Sequence, residues 1–169
     1  MKPVLLLFLS FFFCVFSQAK TRIAFLELYD KNGVLVQYEP GGRFAHTAIQ
    51  FDELGDRWLN SYPGDGVSII TLEQLQYRGK IAVIVEIPGR ELTLSQVQPY
   101  LGKPFDYHYS WSDEALYCTE LIGKLLNIPT HPMHFNRQVW PKNYWPLEGT
   151  LGLSPDQLWL WVGEQEKSK

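Results

Sequence analysis

The sequence has little cysteine, no block of like charge and no apolar run long enough to cross a bilayer. Each shortage removes a class of protein. Only Cys14 and Cys118 are present among 169 residues, and Cys14 lies in an N-terminal tract expected to be removed, so an internal disulfide is excluded from the mature chain. Charges of both signs are scattered around a formal net −3. Without a basic cluster to neutralise phosphates, nucleic acid is not an expected partner. There is no Gly-x-Ser-x-Gly elbow to mount a serine nucleophile. His131 and His134, in Thr-His-Pro-Met-His, have a proline between them and no further ligand nearby, so neither a metal nor another cofactor is expected. Acidic residues exist for glycoside chemistry, but none is set apart by its surroundings.

What is present begins with an address. After Met1-Lys2-Pro3, residues 4–16 are almost wholly Leu, Phe and Val, followed by Ser17, Gln18 and Ala19. One positive residue, a short apolar core and small residues at the cut describe a signal peptide cleaved after Ala19. The tract falls short of the ~20 residues a membrane span needs. The expected organisation is therefore a signal peptide, 1–19, and one mature domain, 20–169, exported to the periplasm or beyond. No stable transmembrane span remains after cleavage.

Loss of Cys14 leaves Cys118 as the single thiol of an exported protein, where a spare thiol is a liability. It stands before Leu121, Ile122, Leu125 and Leu126, spaced as the buried stripe of a helix. A cysteine at that helix start feels the positive end of the dipole, which favours thiolate, the reactive form. The competing reading is a packing cysteine, since cysteine is among the most buried residue types.

Alternation over 22–29, a turn at Asp30-Lys31-Asn32-Gly33 and renewed alternation over 34–38 predict a hairpin. Residues 44–51 read as a strand with Phe44, His46, Ala48 and Gln50 on one face, and 57–62 as another carrying Asn60. Residues 67–70 make a brief strand. Thr71 caps a short helix through Gln76. Residues 80–87, nearly continuous Ile and Val, predict a strand covered on both faces. Ser95 is placed to cap a helix over 96–101. Residues 105–116 form an aromatic and polar loop leading to Cys118, and 133–161 a strap over the core with a capped turn at Ser154-Pro155. Mixed strands and helices in one domain give an α+β fold.

A thiol nucleophile needs a base and usually a group that orients it. His46, mid-strand, must find a partner or cost stability. His108 sits in a loop, a poor rigid mount.

The run Phe44-Ala45-His46-Thr47-Ala48-Ile49, then Trp58-Leu59-Asn60-Ser61 with Gly64-Asp65-Gly66-Val67, then Gly102-Lys103-Pro104-Phe105-Asp106-Tyr107, then Tyr117-Cys118-Thr119-Glu120-Leu121-Ile122 resembles the YiiX/YebB-like cysteine hydrolases. These are circularly permuted members of the NlpC-type papain-like superfamily. The resemblance implies an antiparallel barrel-like sheet packed against the nucleophile helix, with Cys118 as nucleophile, His46 as base and Asn60 as the polar third residue. Many relatives carry an acid where Asn60 stands. Asparagine can fix the imidazole but cannot stabilise imidazolium by charge. The N–H of Cys118, with Tyr107 or Tyr117, is placed to meet an oxyanion, and Asp106 either contacts substrate or fixes its loop. The implied activity is amide hydrolysis of peptide substrates, peptidoglycan among them, through an acyl-enzyme. A lipid acyl hydrolase or transferase and a non-catalytic binding module are the alternatives.

Overall fold

A computed structural model describes residues 20–167. The signal-peptide reading at 1–19 lies outside them. Five antiparallel strands, β1 (Thr21–Glu27), β2 (His46–Phe51), β3 (Trp58–Tyr62), β4 (Gly66–Ile70) and β5 (Lys80–Ile87), form one sheet in the order β4-β3-β2-β1-β5. Two short helices, α1 (Leu72–Gln76) and α2 (Leu94–Val97), flank β5 in sequence, and α3 (Cys118–Leu126) follows the long loop. The chain closes with a two-stranded ribbon of β6 (His131–Pro132) and β7 (Leu151–Gly152), and with α4 (Pro155–Lys167).

Strand alternation divides the core. Ile23, Phe25, Ile49, Phe51, Leu59 and Val67 face Leu121, Ile122, Leu125 and Leu126 of α3. On the other side Ala24, Leu26, Ala48, Trp58 and Ile70 pack with Leu75 of α1. The stripe read from the sequence is thus the surface that docks α3 on β2 and β3. The α+β architecture, with an antiparallel sheet against the cysteine-bearing helix, matches the expectation.

Several local readings change. The hairpin reduces to one bridge, Tyr29 to Leu35. Asp30 Oδ1 fixes the turn by accepting from the N–H groups of Asn32 and Val34, each at 2.8 Å. Both edges of β1 are already taken by β2 and β5, so the returning segment has no edge to join. β5 is an edge strand with Lys80 and Ile84 exposed, not a strand covered twice; an apolar run does not reveal which strand lies central. The second strand starts at His46, and Phe44 turns into the core against Phe25 at 5.0 Å. Thr93, not Ser95, caps α2 through a box with Gln96, whereas Thr71 caps α1 as expected. The turn at Ser154-Pro155 opens a helix that runs to Lys167. Ser154 and Gln157 cap it reciprocally, and Trp159 rests on Phe25 and Phe44 at 5.2 and 5.4 Å. No described helix is long and apolar enough to cross a membrane.

Candidate active site

Cys118 is the first residue of α3, with Tyr117 as the capping residue. Glu120 accepts the Tyr117 N–H at 3.3 Å. Tyr117 is buried, its hydroxyl accepting from the Leu153 N–H at 3.0 Å and facing Met133 Sδ at 3.6 Å, and Thr119 Oγ1 donates to the Leu153 carbonyl. The helix start is thereby tied to the segment that precedes α4. The Cys118 side is 9% exposed. Burial raises its thiol pKa above the ordinary value, and the hydrogen-bonding neighbours Thr47 and Thr119 only partly oppose this. Burial of the charged form thus opposes the thiolate-favouring field expected of the helix start.

His46 opens β2 opposite Leu26 and is 5% exposed. The Ile49–Leu59 pair joins β3 to β2, and extending that register puts Tyr62 across from His46 with Asn60 on the same face. The Tyr62 ring meets the imidazole edge-on at 5.3 Å. Asn60, 1% exposed, donates through Nδ2 to the carbonyl and hydroxyl of Ser68, both at 3.2 Å. Its Oδ1 and Nε2 of His46 are both buried without a hydrogen-bond partner, one an acceptor and the other a potential donor. Burial holds the His46 pKa down to about 4, assisted by the Arg78 charge and opposed by the Asn60 amide. Burial therefore favours the uncharged form of both side chains.

A cavity of about 300 Å³ opens where β2 begins, and Cys118 and His46 both line it. Tyr107 and Tyr117 also line it, whereas Asn60 and Asp106 do not. Tyr107 is half exposed, its hydroxyl accepting from the Gly64 N–H at 3.1 Å. Asp106 is buried and accepts from the N–H groups of His108 and Ser110 at 2.7 and 2.6 Å and from Ser110 Oγ at 2.9 Å. Of the two roles read for it, the loop clamp is the one its bonds make.

The far wall is aromatic. Trp140 packs with Tyr38, Tyr109, Phe135 and Tyr144 at 4.9–5.4 Å, and its indole N–H donates to the Tyr38 carbonyl at 2.8 Å. Sequence reasoning missed Tyr62, Arg78, Thr47 and Tyr109. Tyr62 was within reach, being two residues beyond Asn60 on the same strand face. Arg78, stacked over Tyr62 at 4.0 Å and paired with Asp65, left no periodic signal. His134 pairs with Glu148 at 2.7 Å, and among the described residues no three His, Cys, Asp or Glu side chains are grouped to hold a metal ion.

A buried thiol at a helix start, an imidazole at the opening of a sheet strand and a shared cavity are the layout of a papain-like hydrolase. The chain belongs to the permuted papain-like amidase family, YaeF/YiiX, C92, whose family model matches residues 16–159. Among relatives, the uncharacterized protein YiiX of Escherichia coli strain K12 is 54% identical over 26 residues, a match spanning 15% of this chain and 13% of that protein. The crystal structure of metalloprotein yiiX from Escherichia coli O157:H7 superposes with a TM-score of 0.52 at 22% identity, covering 84% of this chain and 91% of that one. That likeness is one of fold.

Proposed function

We propose that the protein is an exported thiol hydrolase that cleaves amide bonds in cell-wall peptides. The observation that carries this reading is the cavity shared by Cys118 and His46, Cys118 being the free cysteine among the described residues. Cys118 Sγ attacks the carbonyl carbon while its proton passes to His46. The resulting oxyanion collapses, the C–N bond breaks, and the amine leaves with the proton from the imidazolium. Water, deprotonated by His46, then attacks the thioester and releases the acid and the thiol. Burial of both groups disfavours a separated thiolate–imidazolium pair, so a proton transfer that accompanies attack costs less than one that precedes it. Asn60 orients the imidazole once its Oδ1 meets the ring N–H.

The solved relative is described as a metalloprotein. The donor set here does not fit a metal ion, since no three His, Cys, Asp or Glu side chains gather among the described residues. The aromatic far wall favours one second reading, hydrolysis or transfer of a lipid acyl group, because apolar chains gain by burial against such surfaces.

Purified muropeptides and phospholipid vesicles, each incubated with wild type and Cys118→Ala, separate the readings. Cleavage of muropeptides that disappears in Cys118→Ala supports the amidase. Release of fatty acid with muropeptides intact replaces it with the lipid reading. Turnover of neither substrate by the folded wild-type protein leaves a binding module of the same fold.

A further inference from the structure

Arg78 is the only lysine or arginine that lines the cavity among the described residues. It follows α1 directly after Tyr77, which is 80% exposed, so an outward path to water exists at this point of the chain. The guanidinium nonetheless lies over the ring of Tyr62 at 4.0 Å, and that ring meets the His46 imidazole edge-on at 5.3 Å. A cation is thus held two ring contacts from the base, close enough for its charge to act on His46.

The fold does not use up this cation. A guanidinium carries five N–H donors. Nη2 donates to Asp65, whose side chain is 45% exposed, and an ion pair with so wet a partner contributes little to stability. Nε is buried without an acceptor among the described residues, an arrangement that costs stability by itself. The carboxylates of the same lining are engaged elsewhere: Glu39 accepts from Ser154 Oγ, and Asp156 from the N–H groups of Arg43 and Phe44. His134, another lining group that can carry positive charge, is paired with Glu148. One part of the cavity therefore presents acids and another presents spare donors with positive charge, so an anionic group entering it is drawn to Arg78.

We propose that Arg78 binds a free carboxylate of the substrate, one or two residues from the amide that Cys118 attacks. The contact is a charge-assisted hydrogen bond between guanidinium and carboxylate, for which Asp65 competes from the exposed side. The two ring contacts between Arg78 and His46 set the reach, since an extended residue advances about 3.3–3.6 Å. The substrate class narrows to peptides with an ionised carboxyl near the scissile bond, and their carboxamide counterparts are disfavoured. Which bond is cleaved rests on the thiol-hydrolase reading; the carboxylate contact does not, because binding needs no turnover.

The test measures binding to Cys118→Ala by isothermal titration calorimetry, with purified muropeptides and with the same muropeptides after conversion of their carboxyls to carboxamides. The expected result is binding of the carboxylate form about tenfold tighter or more, with the difference reduced to within threefold when Arg78→Met is added. Methionine keeps an apolar stem over Tyr62, and thermal melting checks that the variant is folded. If it is not, Asp65→Asn reads the contact from the exposed side, and the carboxylate form should bind several-fold tighter once the competitor is removed; unchanged affinity there would overturn the proposal. Equal binding of the two forms, binding of neither, or a preference that survives Arg78→Met would overturn it as well. Hydrolysis by wild type is read separately: carboxylate-selective binding without cleavage would remove the hydrolase reading and leave the carboxylate site standing.

Discussion

The two walls of the cavity are built by different means. The sheet wall is regular: His46 and Tyr62 project from paired strands with Asn60 on the same face, and their backbones are fixed by the ladder. Yet Nε2 of His46 and Oδ1 of Asn60 remain buried and unpartnered, at a cost of roughly 1–3 kcal/mol each. The strap wall over 133–150 is irregular, but its polar groups are spoken for. Asn136 N–H and Trp140 Nε1–H both donate to the Tyr38 carbonyl, at 2.9 and 2.8 Å, and Glu148 accepts from Phe135 N–H at 3.0 Å. Regular structure here holds frustrated polar groups, and irregular structure is satisfied. The difference teaches where polar strain and where shape are stored: the unpartnered groups sit on rigid strands, while the enclosing surface is stabilised by contacts that are already made.

Substitutions on each wall should therefore act on different quantities. The largest effect is expected for His46→Gln, with kcat lowered ~10²–10⁴-fold as general-base catalysis is lost. The wild-type imidazole is held at about 4, below the ordinary 6.5. The unfolded chain thus binds the proton first, and wild-type stability falls as pH drops from 6.5 towards 4. Denaturation of His46→Gln over the same window should lack that part of the loss, and equal slopes would contradict the buried neutral imidazole. The wild-type activity should likewise keep its acid limb near 4.

Trp140→Ala strikes the other wall. Loss of a half-buried indole and its hydrogen bond should lower stability by about 2–3 kcal/mol in urea denaturation and raise KM several-fold. The acid limb should stay in place. If Trp140→Ala moved that limb, the two walls would not be separable.

Glu120, fully buried beside the capping N–H, has its pKa pushed up to about 8, chiefly by burial and against the pull of Lys124. The native state holds its proton where the unfolded chain, at 4.5, has released it. Its stabilisation is complete below 4.5 and is lost as pH rises through 8. Glu120→Gln should remove up to about 1.4 kcal/mol per pH unit of that decline between pH 5 and 8, seen as a flatter plot of unfolding free energy.

The smallest change is expected for Asn60→Asp, which sharpens the contrast by giving the sheet wall the charge it lacks. A carboxylate behind His46 should raise the acid limb of activity by about one pH unit. An unmoved limb would mean that Asn60 does not face the imidazole during catalysis.

The difference between the walls also explains what could be read beforehand. Cys118, His46 and Asn60 sit on periodic elements, where spacing by two or by three and four residues reports which side a residue faces. The core stripe of α3 was legible for the same reason. The strength of burial was not: whether a thiol at a helix start becomes thiolate depends on what covers it, and the cover comes from residues around 133–153. Tyr109 escaped because a positive φ outside glycine carries no compositional signal. The misread β5 and the missing hairpin share a cause, since strand order decides which edges are free and local sequence does not encode order.

The strap has a consequence for the life of the chain during synthesis. Cys118 emerges before residues 133–153, so the thiol is made before the wall that covers it. Until Trp140 docks on Tyr38 and Leu153 reaches Tyr117, oxidants meet an uncovered cysteine. The interval in which the thiol is vulnerable is therefore set by completion of the last stretch of chain, and a nick between α3 and Trp140 would prolong it without touching the sheet or the helix.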